Sequence, residues 1–360
     1  MKIIDVYDNG GYNSLPDVMI CDRLRLMAGE GQPLGALRRK GSVADSLAAQ
    51  SGIEVQTSDF GVGMRMFTFP MKVRRLCGDA DRIIIHTYRI DHAERALLLS
   101  RSMSGCDIKV VLELSSGQLP PDTPSARFTL ANIDGMIFHT EYDREHYAAS
   151  SGTGVAAMTR SEVIAPGIRI PDKAVDGDDS HELVVTWGGR ITTGCGLDHV
   201  IEAMGMTHHT PVKLVIAGQG EARQAMPLVR RAKALGIDAR VEWLGDIALS
   251  PELIMKSDAL IIPDGESAVA VEAGVAGMAC GVPLIIATCE RMRELGEDGI
   301  NAMFYDPADR ESLVAVLRTL AGKPDKRREL GKAARVKAEA QYDLRFNVSR
   351  LNDFYTSLMA

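Results

Sequence analysis

The chain has 360 residues, of which 46% are hydrophobic and 25% charged, and its formal net charge is −7. That length is about twice a common domain, and the composition is that of a globular chain with a large core, which excludes disorder and fibrous repeats. The first 175 residues are close to neutral and the acidic excess lies beyond them, so neither half has the basic surplus of a nucleic-acid binder.

Short apolar runs suited to buried parallel strands fall at 2–7, 82–86, 109–114 and 136–139, with helical periodicity between them at 17–29 and 92–103. A polar, Asp-rich stretch at 173–181 reads as a linker. The pattern then restarts. Strand-like runs at 182–187, 213–217, 240–244, 259–262 and 282–287 alternate with helical segments at 197–204, 222–235 and 310–320. Alternating strands and helices predict doubly wound parallel sheets, here two of them, joined near residue 175. The last segment, 343–358, places Leu344, Phe346, Val348, Leu351, Phe354, Tyr355 and Leu358 mostly on one stripe and predicts a docked terminal helix.

Two basic clusters stand in the first half, Arg38-Arg39-Lys40 and Arg65 with Lys72, Arg74 and Arg75. A solvated helix face or loop is the plainer reading of each, and a surface for anionic lipid headgroups is the functional one. Six isolated cysteines without metal-ligand spacing fit a reduced, cytosolic chain. The start, Met-Lys-Ile-Ile-Asp-Val-Tyr, shows no leader pattern, and no apolar run is long enough to span a membrane.

Both halves follow their first strand with a glycine-rich turn, Asp8-Asn-Gly-Gly-Tyr-Asn-Ser-Leu-Pro16 and Gly188-Gly-Arg-Ile-Thr-Thr-Gly-Cys-Gly196. Neither fits G-x-G-x-x-G or G-x-x-x-x-G-K-[ST]. Such turns let backbone amides and helix N-termini face anions.

The second half resembles the donor domain of retaining, metal-independent GT-B glycosyltransferases, family four in the usual classification. The matching stretches are Val185-Thr-Trp-Gly-Gly-Arg190 with Gly196-Leu-Asp-His-Val-Ile-Glu-Ala203, Leu214-Val-Ile-Ala-Gly-Gln-Gly-Glu221, Val241-Glu-Trp-Leu-Gly245, Ser257-Asp-Ala-Leu-Ile-Ile-Pro263, Met278-Ala-Cys-Gly-Val-Pro283 and Gly296-Glu-Asp-Gly-Ile-Asn301. The first half resembles the acceptor domain more loosely, through Gly10-Gly11, Ile83-Ile-Ile-His-Thr-Tyr-Arg89, Thr140-Glu-Tyr-Asp143 and Ile164-Ala-Pro-Gly-Ile168.

The resemblance implies two Rossmann-like domains facing across a cleft, 1–175 for acceptor and 176–342 for donor, with 343–360 crossing back to the first. It implies transfer of a sugar from a nucleotide-diphosphate sugar to a hydroxyl acceptor with retention, in cell-surface polysaccharide or lipid-linked glycan synthesis. Neither a cofactor nor a metal is expected. The implied setting is cytoplasmic, peripheral at the inner face of the plasma membrane. Arg190 matches the phosphate-binding arginine, and Gly10, Gly11, Gly188 and Gly189 would let backbone approach the diphosphate. The base pocket would lie near Gly218-Gln-Gly220 and Leu244-Gly-Asp246.

The chain departs from the family at several positions. Cys195 replaces its second phosphate cation, and its paired glutamates align with Ala268 and Ala276. Displaced carboxylates take their place in this reading: Glu272 toward the ribose, and Glu266 or Asp264 toward the sugar. The family's first-domain histidine is also missing, which leaves Glu113 or Ser115 facing the cleft and His86 as the remaining imidazole. These departures motivate a second reading, a catalytically degenerate GT-B binding or scaffold subunit. A sugar-nucleotide epimerase of similar fold is a third, without an acid/base pair to support it.

Overall fold

The computed structural model describes residues 1–8, 15–39, 53–58, 65–115, 121–150, 160–175, 182–207, 209–220, 222–267 and 269–360. Gly10, Gly11 and Lys40 lie outside the described residues. The chain forms two compact units, Met1–Gly167 with Leu344–Ala360, and Ile168–Asp343. The sequence reading placed the junctions at 175 and 342. Residues 168–175 go with the second unit because Val175 N–H donates to Cys280 O at 2.9 Å and Arg335 Nη2 donates to Pro171 O at 2.6 Å.

In the first unit, β1 (Lys2–Tyr7), β2 (Leu34–Arg39), β3 (Glu54–Ser58), β4 (Arg82–Thr87), β5 (Asp107–Leu114), β6 (Gly135–Phe138) and β7 (Ser161–Val163) form a seven-stranded sheet in the order β3-β2-β1-β4-β5-β6-β7. All its pairings are parallel. Runs such as Ile83-Ile84-Ile85 suit a sheet buried on both faces. Helix α1 (Leu15–Gly29) packs on one face. On the other lie α2 (Arg65–Cys77), α3 (Ile90–Ser102), α4 (Pro124–Asn132) and α5 (Glu141–Ser150), through Phe69, Val73, Ala96, Leu99, Leu130 and Tyr147.

The second unit holds β8 (Leu183–Arg190), α6 (Leu197–Met206), β9 (Val212–Gln219), α7 (Ala222–Ala234), β10 (Val241–Gly245), α8 (Pro251–Ile254), β11 (Ala259–Ile262) and α9 (Ala270–Ala279). It continues with β12 (Leu284–Ala287), α10 (Glu290–Leu295), β13 (Ala302–Tyr305), α11 (Arg310–Gly322) and α12 (Pro324–Gln341). Its six strands run in the order β10-β9-β8-β11-β12-β13, again parallel. Helix α13 (Leu344–Met359) then returns to the first unit and buries Leu344, Val348, Leu351, Phe354 and Tyr355 beside α1.

Strand β2 carries Arg38-Arg39, which the sequence reading took as a solvated or lipid-facing cluster. Arg38 is instead buried. Its Nη2 donates to Asp5 Oδ1 at 2.6 Å and its Nη1 to Asp5 O at 2.9 Å. Arg39 pairs with Asp8 at 2.6 Å. Asp5 on the neighbouring strand and Asp8 just past its end neutralise both charges, so these two arginines are not a free basic surface. Among the described residues no helix is long and apolar enough to cross a membrane, and all six cysteines are free.

Candidate functional site

In the second unit the strand order reverses between β8 and β11, the place where open α/β sheets leave a crevice at the carboxyl ends of their strands. A pocket of about 400 Å³ opens there, within the roughly 300–1,000 Å³ of small-molecule sites. Trp187, Gly188, Gly189 and Arg190 supply one wall, and the turn after them adds Thr192 and Cys195. Leu260 to Ile262 and Pro263 form an apolar side; Asp264, Ser267, Val269, Ala270 and Ala273 close the rest.

The local sequence explains this shape. Gly189 pairs in register with Gly218 on β9. A Cβ on Gly218 would fall 2.3 Å from Gly189 O, so the close approach of the two strands requires glycine there. Gly196 adopts φ +77° before α6 and packs against Pro263, so the turn carrying Cys195 is held against the pocket wall. Val269 caps α9 at the pocket edge. Two helix N-termini, those of α6 and α9, therefore adjoin the space into which exposed Arg190 projects from the end of β8. Helix N-termini and a guanidinium together make a field for an anion.

Asp264 brings the opposite charge into the same pocket. Burial pushes its carboxyl above the usual range, while the Glu266 amide, donating to its Oδ1 at 3.1 Å, opposes that rise. A carboxylate would repel a diphosphate and suits sugar hydroxyls instead.

The structure thus brings Gly188, Gly189, Arg190 and Asp264 together. Glu266 does not line the pocket: it is exposed and pairs at 2.8 Å with Arg291, itself buried and donating to Gly265 O at 3.0 Å. Glu272 is 2% exposed in the first turn of α9, and Ala270 and Ala273 line the pocket instead of it. Gly218 supports the wall from behind. Leu244 and exposed Asp246 stand at the end of β10, also outside the pocket lining. Thr192 and Ser267 are polar lining residues that the sequence does not single out: Thr192 lies in the glycine-rich turn at 188–196, and Ser267 follows the candidate carboxylate Glu266.

His86 belongs to the first unit and is fully buried. Its Nε2 lies 3.0 Å from Glu113 Oε2, and its Nδ1 is 2.6 Å from Tyr355 Oη on α13. With Nε2 protonated, Nδ1 accepts from the tyrosine hydroxyl. Arg23 Nη1 donates to Glu113 Oε2 at 2.9 Å, and His139 Nε2 lies 3.2 Å from Oε1. Arg23 also donates to Tyr88, whose hydroxyl donates to Asp5 Oδ2 at 2.8 Å. Burial alone would raise the Glu113 carboxyl; Arg23 and the two imidazoles hold it well below the ordinary range. Glu113 and His86 therefore anchor α1 and α13 to the sheet, where the sequence suggests Glu113 facing a cleft and His86 as the remaining imidazole of the site.

Residues 170–337 match the family model described as Glycosyl transferases group 1. The second unit is therefore a glycosyl transferases group 1 domain. No curated protein sequence matches the chain. Anabaena Alr3699/HepE in complex with UDP is similar in structure, with TM-score 0.81 and 17% identity, covering 99% of this chain and 100% of that one. A glycosyltransferase from Rickettsia africae has TM-score 0.81 at 13% identity, covering 99% and 98%. Sucrose-phosphate synthase from Thermosynechococcus elongatus has TM-score 0.76 at 14% identity, covering 100% and 99%. These likenesses define the fold, two Rossmann-like parallel-sheet units of the GT-B type.

Proposed function

We propose that the chain is a retaining, metal-independent glycosyltransferase that moves a hexose-type sugar from a nucleotide-diphosphate sugar to a hydroxyl acceptor. The acceptor is a cell-surface polysaccharide or lipid-linked glycan, reached at an anionic membrane surface. The observation that carries the reading is the pocket at the β8/β11 reversal, bordered by Arg190, two helix N-termini and Asp264. The glycosyl transferases group 1 domain and the UDP and UDP-glucose of the HepE structures support a nucleotide-sugar donor.

As the glycosidic bond breaks, negative charge grows on the leaving diphosphate. Arg190 and the backbone amides at the starts of α6 and α9 would meet that charge without reorganising. Asp264 and Ser267 would hold the sugar by its hydroxyls, fixing which face the acceptor attacks. In this reading Glu266 serves the site by holding, with Arg291, the turn that presents Asp264.

Incubation with a panel of UDP-, GDP- and ADP-sugars and hydroxyl acceptors tests the reading, with the product's anomeric configuration read by NMR and the assay repeated in EDTA. Retained configuration and EDTA-insensitive turnover are expected. Turnover with inversion, or turnover that EDTA abolishes, would refute the corresponding part. The scaffold reading is favoured by one observation, the neutral Cys195 where the family has a cation. It predicts nucleotide-sugar binding with no turnover on any acceptor.

A further inference from the structure

Helices α2, α3 and α4 lie side by side over one face of the first sheet, and their outer surface combines exposed apolar and basic side chains. Among the described side chains each presents one large apolar group to solvent: Met71 is 71% exposed, Leu98 58% and Phe128 48%. Arginines stand among them. Arg74 and Arg75 fill the exposed last turn of α2, and Arg101 lies with its guanidinium 5.1 Å from the Phe128 ring while donating to Asn132. Among the described residues no carboxylate lies within ion-pair distance of these three arginines.

The surrounding charges set the limits of the patch. Arg95 and Arg89 are offset by Asp91, at 3.6 and 2.9 Å, and Arg127 by Asp122 at 3.4 Å. Lys72 is drawn down to Thr57 O. Glu94 is half-buried on α3, and Asp79 and Asp81 are exposed in the turn after α2. The next helix, α5, carries Glu141, Asp143 and Glu145, so the basic surface ends at α4.

We propose that the outer surface of α2, α3 and α4 docks on an anionic lipid bilayer, with Met71, Leu98 and Phe128 entering the headgroup layer and Arg74, Arg75 and Arg101 meeting lipid phosphates. Isolated apolar side chains interspersed with arginine suit a bilayer interface, where each inserts separately. An acidic protein partner would call for one contiguous apolar patch, and among the described side chains each helix contributes a single large apolar one. This assignment rests on the reading above for its membrane partner; it keeps Arg74 and Arg75 of the second basic cluster, adds Arg101 and the three apolar side chains, and leaves out Arg38 and Arg39, which are paired with Asp5 and Asp8.

The test is co-sedimentation of the full chain with vesicles of equal parts phosphatidylglycerol and phosphatidylcholine, beside vesicles of phosphatidylcholine alone, with UDP-induced thermal stabilisation measured on the same samples. Binding to the anionic vesicles that weakens with salt is expected. The Arg74→Ala/Arg75→Ala/Arg101→Ala variant is expected to bind about a hundred-fold more weakly, roughly five-fold per arginine. Met71→Ser/Leu98→Ser is expected to lose binding with its UDP stabilisation intact. The proposal is overturned if the wild type ignores anionic vesicles while responding to UDP, or if the triple variant binds as tightly as wild type. Retention on a polyaspartate matrix without vesicle binding would overturn it in favour of an acidic protein. Vesicle binding without any response to nucleotides would sink the donor reading and leave this one standing.

Discussion

The two sheets reverse their strand order at equivalent places, between β1 and β4 in one unit and between β8 and β11 in the other, yet the strand ends there are used in opposite ways. In the first unit Asp5, His86 and Glu113 are each within 6% exposure and are consumed by Arg38, Arg23, His139, Tyr88 and Tyr355. In the second, glycines keep the wall thin, the apolar ends of β11 line one side, and Arg190 faces open space. Polar side chains at a strand end therefore do not by themselves mark a site. What separates the two is burial: the charges of the first unit are shut inside the fold with their partners, whereas Arg190 is exposed at the pocket.

That contrast is most exposed to test at Glu113. Glu113→Ala strands Arg23 in the core and is expected to cost about 3–5 kcal/mol in urea unfolding. A cost near zero would erase the distinction between the two regions.

Acid should act on the first unit as well. Burial holds the His92 imidazole down at about 4, against 6.5 for the free group. The unfolded chain therefore binds a proton between those values that the folded chain does not, so stability falls as pH drops from 6.5 to 4, by at most about 3 kcal/mol from this group. Urea midpoints across that range should flatten in His92→Leu. Below it, loss of the charge on Glu113 should add a further fall, since its carboxyl is held below the usual range only in the folded state.

Smaller effects sharpen the same line. Tyr355→Phe leaves His86 Nδ1 buried without its donor and is expected to cost about 1–2 kcal/mol, with earlier proteolysis within α13. Arg190→Ala, at an exposed strand end, is expected to change stability by less than about 0.5 kcal/mol. A large loss there would mean that Arg190 is structural.

The second unit was the more legible in the sequence. Its central strands β11 and β12 are uninterrupted apolar runs, and the turn at Gly188–Gly196 announces a crevice because glycine and a cation follow an apolar run directly. Strands β2, β3, β7 and β13 were not read. β2 carries two arginines, and the partner of Arg38 lies 33 residues away on β1, which no local pattern reveals. The same distance problem hid the fate of the candidate carboxylates. Glu113 meets Arg23 across 90 residues, and Glu266 meets Arg291 on α10. Asp264 could be named from sequence, but only the turn's geometry distinguishes it from Glu266 as the carboxylate that lines the pocket.

The central claim is that the pocket at the β8/β11 reversal binds a diphosphate through Arg190. Calorimetric titration of UDP into wild type, Arg190→Ala and Glu266→Ala tests it directly. The account predicts binding to wild type, affinity weaker by roughly ten- to a hundred-fold in Arg190→Ala, as for loss of hydrogen bonds to a charged group, and near wild-type affinity in Glu266→Ala. Equal affinity in wild type and Arg190→Ala would contradict it.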